Sequence, residues 1–217
     1  MAQGDVLVVG RGAREHALVW KLQQSEHVKH MYVAPGNAGT AFLAKNIAIE
    51  TDNVHDLCRF ALEKDIELTI VGPEMPLKLG IVDLFRQNGL SIFGPTAAAA
   101  RIETSKLRAK ELMLQEDIPT AHFRSFTSYE KARDHIFQRK YPLVMKADGL
   151  AGGKGVYICK NLTEACIAIN DLMIHRIHHE AGDRVIIEDF LQGEEISIHA
   201  LCSGTTAIDL LPFNLDQ

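Results

Sequence analysis

Short apolar runs alternate with amphipathic stretches over the first 96 residues. Val6-Leu7-Val8-Val9 is apolar throughout and closes at Gly10-Arg11-Gly12. From Ala13 to Gln24 the period changes, with Leu18 and Leu22 on one helical face. Val28 to Ala34 ends at Pro35-Gly36-Asn37-Ala38-Gly39, and Ile66 to Val71 ends at Gly72-Pro73-Glu74-Met75-Pro76. A fourth run, Leu90 to Phe93, stops at Gly94-Pro95-Thr96. Strands apolar on both faces and separated by helices predict an α/β domain built on a parallel sheet. Ligands of such sheets bind at the carboxyl ends of the strands, where these glycine- and proline-rich loops fall.

The pattern changes near residue 104. A helix is predicted over Thr104 to Glu116 and broken at Ile118-Pro119-Thr120, with further helices at Ser128 to Lys140 and Leu162 to Ile174. Strands are predicted at Tyr141 to Ala147, Gly155 to Lys160, Arg184 to Glu188, Glu195 to Cys202 and Thr205 to Leu210. Close spacing makes this half α+β with antiparallel pairing. In the penultimate strand Glu195, Ser197 and His199 share one face, and Ile196, Ile198 and Ala200 share the other.

Composition narrows the classes. The 217 residues are 47% hydrophobic and 24% charged, a folded composition. A net charge of −5 supplies no general pull toward nucleic acid or anionic lipid, so neither is expected as a partner. No apolar run approaches the roughly 18 to 20 residues of a membrane span, and Met1 to Asp5 lacks a basic leader. Cys58, Cys159, Cys166 and Cys202 lie far apart without a C-x-x-C pair, as reduced thiols of a cytoplasmic protein would.

Two glycine loops carry the chemistry. Gly10-Arg11-Gly12-Ala13-Arg14-Glu15 resembles a dinucleotide turn, but Glu15 replaces the third glycine and Val33-Ala34 supplies no acid for a ribose, so NAD is disfavoured. The turn can still offer backbone N–H groups to an anion, with Arg11 and Arg14 nearby. Asp148-Gly149-Leu150-Ala151-Gly152-Gly153-Lys154-Gly155 fails as a P-loop, because Asp148 stands at the first glycine position and a strand follows. Between two strands it reads as a hairpin flap able to lower N–H groups onto a polyphosphate, with Lys154 at its tip. Lys146 sits on an apolar strand, where an ammonium without a partner is costly; a triphosphate would offset that cost. Glu188 to Leu191 can present backbone groups to an adenine edge, and Glu195 can accept from ribose hydroxyls. His175, His178, His179 and Glu180 are spaced for a metal but read better as a polar helix end.

Taken together these residues resemble the ATP-grasp fold. Gly10-x-Gly12-x-Arg14-Glu15-His16-Ala17, Ala34-Pro35-Gly36-Asn37-Ala38-Gly39-Thr40, Val71-Gly72-Pro73-Glu74-x-Pro76-Leu77 and Phe93-Gly94-Pro95-Thr96 narrow the resemblance to the glycinamide ribonucleotide synthetase (phosphoribosylamine–glycine ligase) family. Ala13 departs from that family's usual second glycine. The resemblance implies a Rossmann-like pre-ATP-grasp domain over 1–103, the start of the ATP-grasp helical segment over 104–122, a lid with the glycine flap over 123–192, and the beginning of a further subdomain over 193–217.

It also implies roles. ATP would be held by Lys106, Lys146, the flap from Gly149 through Gly152, Gly153 and Lys154 to Gly155, the adenine edge Glu188, Asp189, Phe190 and Leu191, and Glu195 at the ribose. Gly10, Gly12, Arg14, Glu15, His16, Asn37, Gly72, Pro73 and Glu74 would face the substrates, glycine and 5-phosphoribosylamine. The family's Mg2+ or Mn2+ ligands and its Gly-Gly-Met-Gly loop are expected beyond residue 217. On that basis the chain is expected to be a truncated form inactive by itself, with Ile196, Ile198 and Ala200 left uncovered. A nucleotide-binding regulatory module and another ATP-grasp carboxylate–amine ligase remain the alternative readings.

Overall fold

The computed structural model describes residues 3–151 and 154–215. The first part runs β1 (Gly4–Gly10), α1 (Ala13–Leu22), β2 (Val28–Pro35), β3 (Lys45–Asn46), α2 (Val54–Glu63), β4 (Leu68–Val71), α3 (Glu74–Lys78), α4 (Ile81–Gln87), β5 (Ile92–Phe93) and α5 (Ala97–Thr104). Its five strands are all parallel in the order β3-β2-β1-β4-β5. The alternation of β1 explains why helices cover both faces. Leu7 and Val9 pack with Leu57 of α2 and Phe85 of α4, whereas Val6 and Val8 pack with Val19 of α1 and Val33. Burial of a side chain the size of Leu57 or Phe85 contributes about 2–3 kcal/mol. The strand order reverses at β1, so the crevice of the sheet opens above the carboxyl ends of β1, β2 and β4. β3 was not foreseen, since two residues carry no period.

The second part runs α6 (Lys106–Gln115), β6 (Phe123–Phe126), α7 (Tyr129–Phe137), β7 (Leu143–Ala147), β8 (Val156–Cys159), α8 (Leu162–Ile169), β9 (Val185–Asp189), β10 (Ile196–Ser203) and β11 (Thr206–Leu215). An antiparallel sheet in the order β6-β9-β7-β8 packs one face on α7, α8 and the wider π-helical turn Asn170–Ile174 that follows α8, through Leu143, Met145, Val185 and Ile187 against Ile136, Ile169 and Leu172. The opposite face carries Val144, Lys146, Ile186 and Glu188. β10 and β11 form a separate antiparallel pair, on which Ile196 and Ile198 are exposed. No described helix is long and apolar enough to cross a membrane.

The helix predicted over Thr104 to Glu116 is α6, which starts two residues later. Thr104 ends α5, and Ser105 between the two helices is extended (φ −137°, ψ 110°). Its hydroxyl accepts the Arg108 N–H at 3.1 Å and so starts α6 as a cap instead of continuing α5. That break aims the first turn of α6, with Lys106, at the second sheet.

Candidate functional site

The loops above the parallel sheet are built around Glu15. Only 4% exposed, it occupies the third position of α1 and accepts the Gly12 N–H at 2.6 Å. Gly10 (φ +137°) and Gly72 close over it: a Cβ on either would fall 2.5 Å from Glu15 Cδ. The glycines of this turn thus make room for a carboxylate from their own helix. Arg14 Nη1 donates to the Gly72 carbonyl at 2.7 Å and meets Glu74 at 3.2 Å, which ties the first turn of α1 to the segment after β4. Arg11 pairs with Glu50. Asn37 fastens the loop after β2. Its amide donates to the Arg11 carbonyl at 2.8 Å, and its oxygen accepts the Gly39 and Thr40 N–H groups. His16, half-buried, packs so closely on Gly39 that a Cβ there would lie 2.5 Å from its Cε1.

Asp148 anchors the glycine-rich connection between β7 and β8. Its Oδ1 accepts from the Ser105 hydroxyl at 3.0 Å and from the Leu107 N–H at 3.1 Å, while Oδ2 faces Arg184 at 3.5 Å. A buried carboxylate at the start of a helix satisfies otherwise orphaned N–H groups and complements the helix dipole. Lys106 Nζ donates to the Gly149 carbonyl at 3.0 Å. Burial lowers the Lys106 pKa below the ordinary lysine value; Asp148 pulls the other way, and Lys146 adds to the lowering. Gly149 has φ +150°, and a Cβ there would lie 3.0 Å from Ala181. The connection closes with the Lys154 N–H on the Ala151 carbonyl, and Lys154 itself is exposed. The expected positions Gly152 and Gly153 lie outside the described residues.

Lys146 is not without a partner, which corrects the sequence argument. Its Nζ lies 2.9 Å from Glu188 Oε1, and the other oxygen of Glu188 lies 2.8 Å from Lys110 Nζ. The carboxylate already offsets the cost of an ammonium on this strand, so Lys146 does not by itself require a triphosphate. Its side chain nevertheless stays 27% exposed toward the cleft. Glu188 serves through its side chain, whereas the sequence reading used only its backbone. Asp189 is paired with Arg139, Leu191 and Glu195 are exposed, and Phe190 is half-buried.

Three clefts join these parts. One of about 410 Å3 is lined by Ile102, Met113, Thr120, Lys110, Lys146 and Glu188 among others, and it shares Glu103, Lys106 and Val156 with a second. The second, about 440 Å3, runs under Gly149, Leu150 and Gly155 to Pro73, Glu74 and Met75. Pro73 and Glu74 in turn border a third, about 340 Å3, over Arg11, Gly12 and Arg14. Shared walls make one groove from the Lys110–Glu188–Lys146 corner, beneath the glycine connection, to the crevice of the parallel sheet. Asp189, Phe190, Leu191 and Glu195 lie outside its walls. Sequence reading missed Lys110, Asp148 and Ser105; the signals available were the four-residue spacing of Lys106 and Lys110 and the cap sequence Thr104-Ser105.

A doubly wound domain whose loops meet an antiparallel α+β domain, with lysines and a glycine-rich turn on the shared groove, defines an ATP-grasp protein with its preceding α/β domain. Two family models match the chain: phosphoribosylglycinamide synthetase, N domain, over residues 4–103, and phosphoribosylglycinamide synthetase, ATP-grasp (A) domain, over 104–215. The chain belongs to the phosphoribosylglycinamide synthetase family. It is 48% identical over 208 residues to the phosphoribosylamine–glycine ligase of Pseudomonas aeruginosa, covering 95% of this chain and 48% of that one. Against the ligase of the same name from Neisseria meningitidis serogroup B it is 48% identical over 205 residues, covering 94% and 48%. The crystal structure of phosphoribosylamine–glycine ligase from Thermotoga maritima superposes with a TM-score of 0.80 at 32% identity, over 96% of this chain and 49% of that chain. The fold, though not the sequence, is shared with carboxyaminoimidazole ribonucleotide synthase from Aspergillus clavatus, at a TM-score of 0.74 and 15% identity over 95% and 52% of the two chains. The chain spans about half the length of the curated relatives it matches.

Proposed function

We propose that the groove binds ATP and the substrates of phosphoribosylamine–glycine ligation, the activity for which the curated relatives are named. The observation that carries this reading is the convergence of Lys106 and Lys146, from different elements, on one groove roofed by the glycine-rich connection. The donor set fits a polyphosphate. Two ammonium groups face the groove from separate walls, and no side chain of Gly149 or Gly155 obstructs the approach of the roof. The apolar residues Ile102 and Met113 at the Glu188 end suit a base, and in this reading the phosphates lie toward Lys106 and the glycines.

A carboxylate is a poor electrophile. In this reading the terminal phosphoryl group moves from ATP onto the glycine carboxylate and ADP leaves. The phosphoribosylamine nitrogen then attacks the acyl carbon, phosphate departs, and the nitrogen gives up a proton as the amide forms. The lysines contribute positioning and offset charge on the phosphate oxygens. The glycine-rich roof excludes water from a hydrolysable acyl phosphate. The Gly10–Gly12, Asn37 and Gly72–Glu74 loops, locked together by Glu15 and Arg14, would hold the amine substrate at the far end of the groove. Among the described residues no three His, Cys, Asp or Glu side chains gather as a cation site.

The experiment is equilibrium ATP binding together with ADP release, each measured with and without glycine and phosphoribosylamine. ATP binding that Lys106→Met and Lys146→Met each weaken strongly supports the nucleotide site. ADP release that requires both co-substrates supports the whole reaction. Binding without release restricts the chain to the nucleotide part of the chemistry, and an absence of binding overturns the reading.

A further inference from the structure

Lys110 is the one described residue of α6 that is buried, at 8% exposure. A charged side chain in that place needs every proton satisfied. Its ammonium has Thr120 Oγ1 at 2.8 Å, the Ala121 carbonyl at 3.4 Å and Glu188 Oε2 at 2.8 Å, and it stands 5.6 Å from the centre of the Phe123 ring. Such a closed shell leaves Lys110 little freedom to turn toward a ligand. It does leave Glu188 fixed, because a carboxylate held through one oxygen has its other oxygen aimed by the same bond. That second oxygen meets Lys146, whose partner on the sheet diagonal it is: Val144 pairs with Glu188 and Lys146 with Ile186. The two lysines therefore differ in kind. Both border the groove, but the Lys110 ammonium is engaged on Thr120, Ala121 and Glu188 and its side chain is 11% exposed, whereas that of Lys146 is 27% exposed.

We propose that Lys110 is a positioning residue of the nucleotide site, acting through Glu188 to set where the Lys146 ammonium stands. This rests on the ATP reading above. In the unliganded chain the Glu188 carboxylate, shared between two cations, holds Lys146 at the groove wall. Without Lys110, Glu188 keeps a single cation; Lys146 is then drawn fully onto the carboxylate and away from the groove, and ATP affinity falls through the displaced Lys146.

The test is a double-mutant cycle in ATP affinity, measured calorimetrically with ATP and Mg2+ on the full chain, its Lys110→Met and Lys146→Met variants, and the double variant. Lys110→Met is expected to weaken ATP about tenfold, and the double variant to match Lys146→Met alone within about twofold, because residues acting in one chain do not add. A general loosening of α6 would instead multiply the two losses. If the methionine variant does not fold, Lys110→Gln, whose amide can still donate to Thr120, takes its place in the same cycle. Unchanged affinity in the Lys110 variant, or losses that multiply, overturns the proposal and leaves the nucleotide site standing. Absence of ATP binding by the parent chain overturns the nucleotide reading and the proposal with it.

Discussion

Lys106 reaches from the first turn of α6 to the carbonyl of Gly149, 3.0 Å away, and so joins the helix to the base of the glycine-rich connection. The bond spends one of three ammonium protons and leaves the rest to face the groove. Because burial disfavours the charge, this lysine is held there at a cost to the folded chain. Lys106→Met should therefore abolish or greatly weaken ATP binding without lowering thermal stability. Calorimetry of binding and of unfolding on the same variant checks both halves, and a variant with a markedly lower Tm would show that Lys106 is structural.

The lowered pKa of Lys106 has a sign in pH. The unfolded chain binds the proton more tightly, so between the folded value and the ordinary lysine value, about 10.4, stability contributed by this group rises with pH. ATP affinity runs the other way. A phosphate beside Lys106 favours its charged form, so in the alkaline range binding should take up protons and weaken as pH increases. Titrations in buffers of different ionisation enthalpy measure that uptake, and Lys106→Met should remove it.

Asp148 holds the connection to α6 through Ser105 and the Leu107 N–H, and it faces Arg184. Asp148→Ala leaves these donors and a cation without their acceptor. A loss of roughly 2–4 kcal/mol in urea unfolding is expected. Asp148→Asn, which retains one acceptor oxygen, should lose less.

Gly72 is reserved for Glu15. Gly72→Ala puts a methyl group against a carboxylate that is itself buried and bonded to the Gly12 N–H. Displacing it should cost about 1–3 kcal/mol and open the loops of the parallel sheet. Denaturant unfolding of Gly72→Ala measures the cost.

The parallel domain was legible because its strands are apolar on both faces and each ends in a loop of glycine or proline, signals that need no tertiary knowledge. The start of α6 was legible only to within two residues. Thr104 to Glu116 has helical composition throughout, and the Ser105 hydroxyl, engaged by Arg108 and Asp148, marks the boundary after Thr104. Lys106 was assigned to the nucleotide only through the family resemblance, and Lys146 was singled out by its place on an apolar strand, an argument that assumed an isolated charge. Its partner Glu188 lies 42 positions along the chain, and strand register, which brings the two together, is not written in local pattern. Glu15 was read as a departure from a dinucleotide turn; its burial between Gly10 and Gly72 could be seen only once β1 and β4 lay side by side.

Thiol reactivity tests the packing independently of any ligand. Burial raises Cys58, and burial with Glu164 nearby pushes Cys159 up to about 11, whereas Cys202 is exposed. Because the thiolate is the reactive form, a disulfide reagent at neutral pH should label Cys202 fast, Cys166 more slowly, and Cys58 and Cys159 only on unfolding. Peptide mapping of the labelled chain reads the order.

The most direct measurement is calorimetric titration of the chain with ATP and Mg2+, run beside Lys106→Met and Lys146→Met. One saturable site in the parent chain, lost or strongly weakened in each folded variant, is the predicted result. No heat in the parent, or affinity unchanged by either substitution, would contradict the assignment of the groove to a nucleotide.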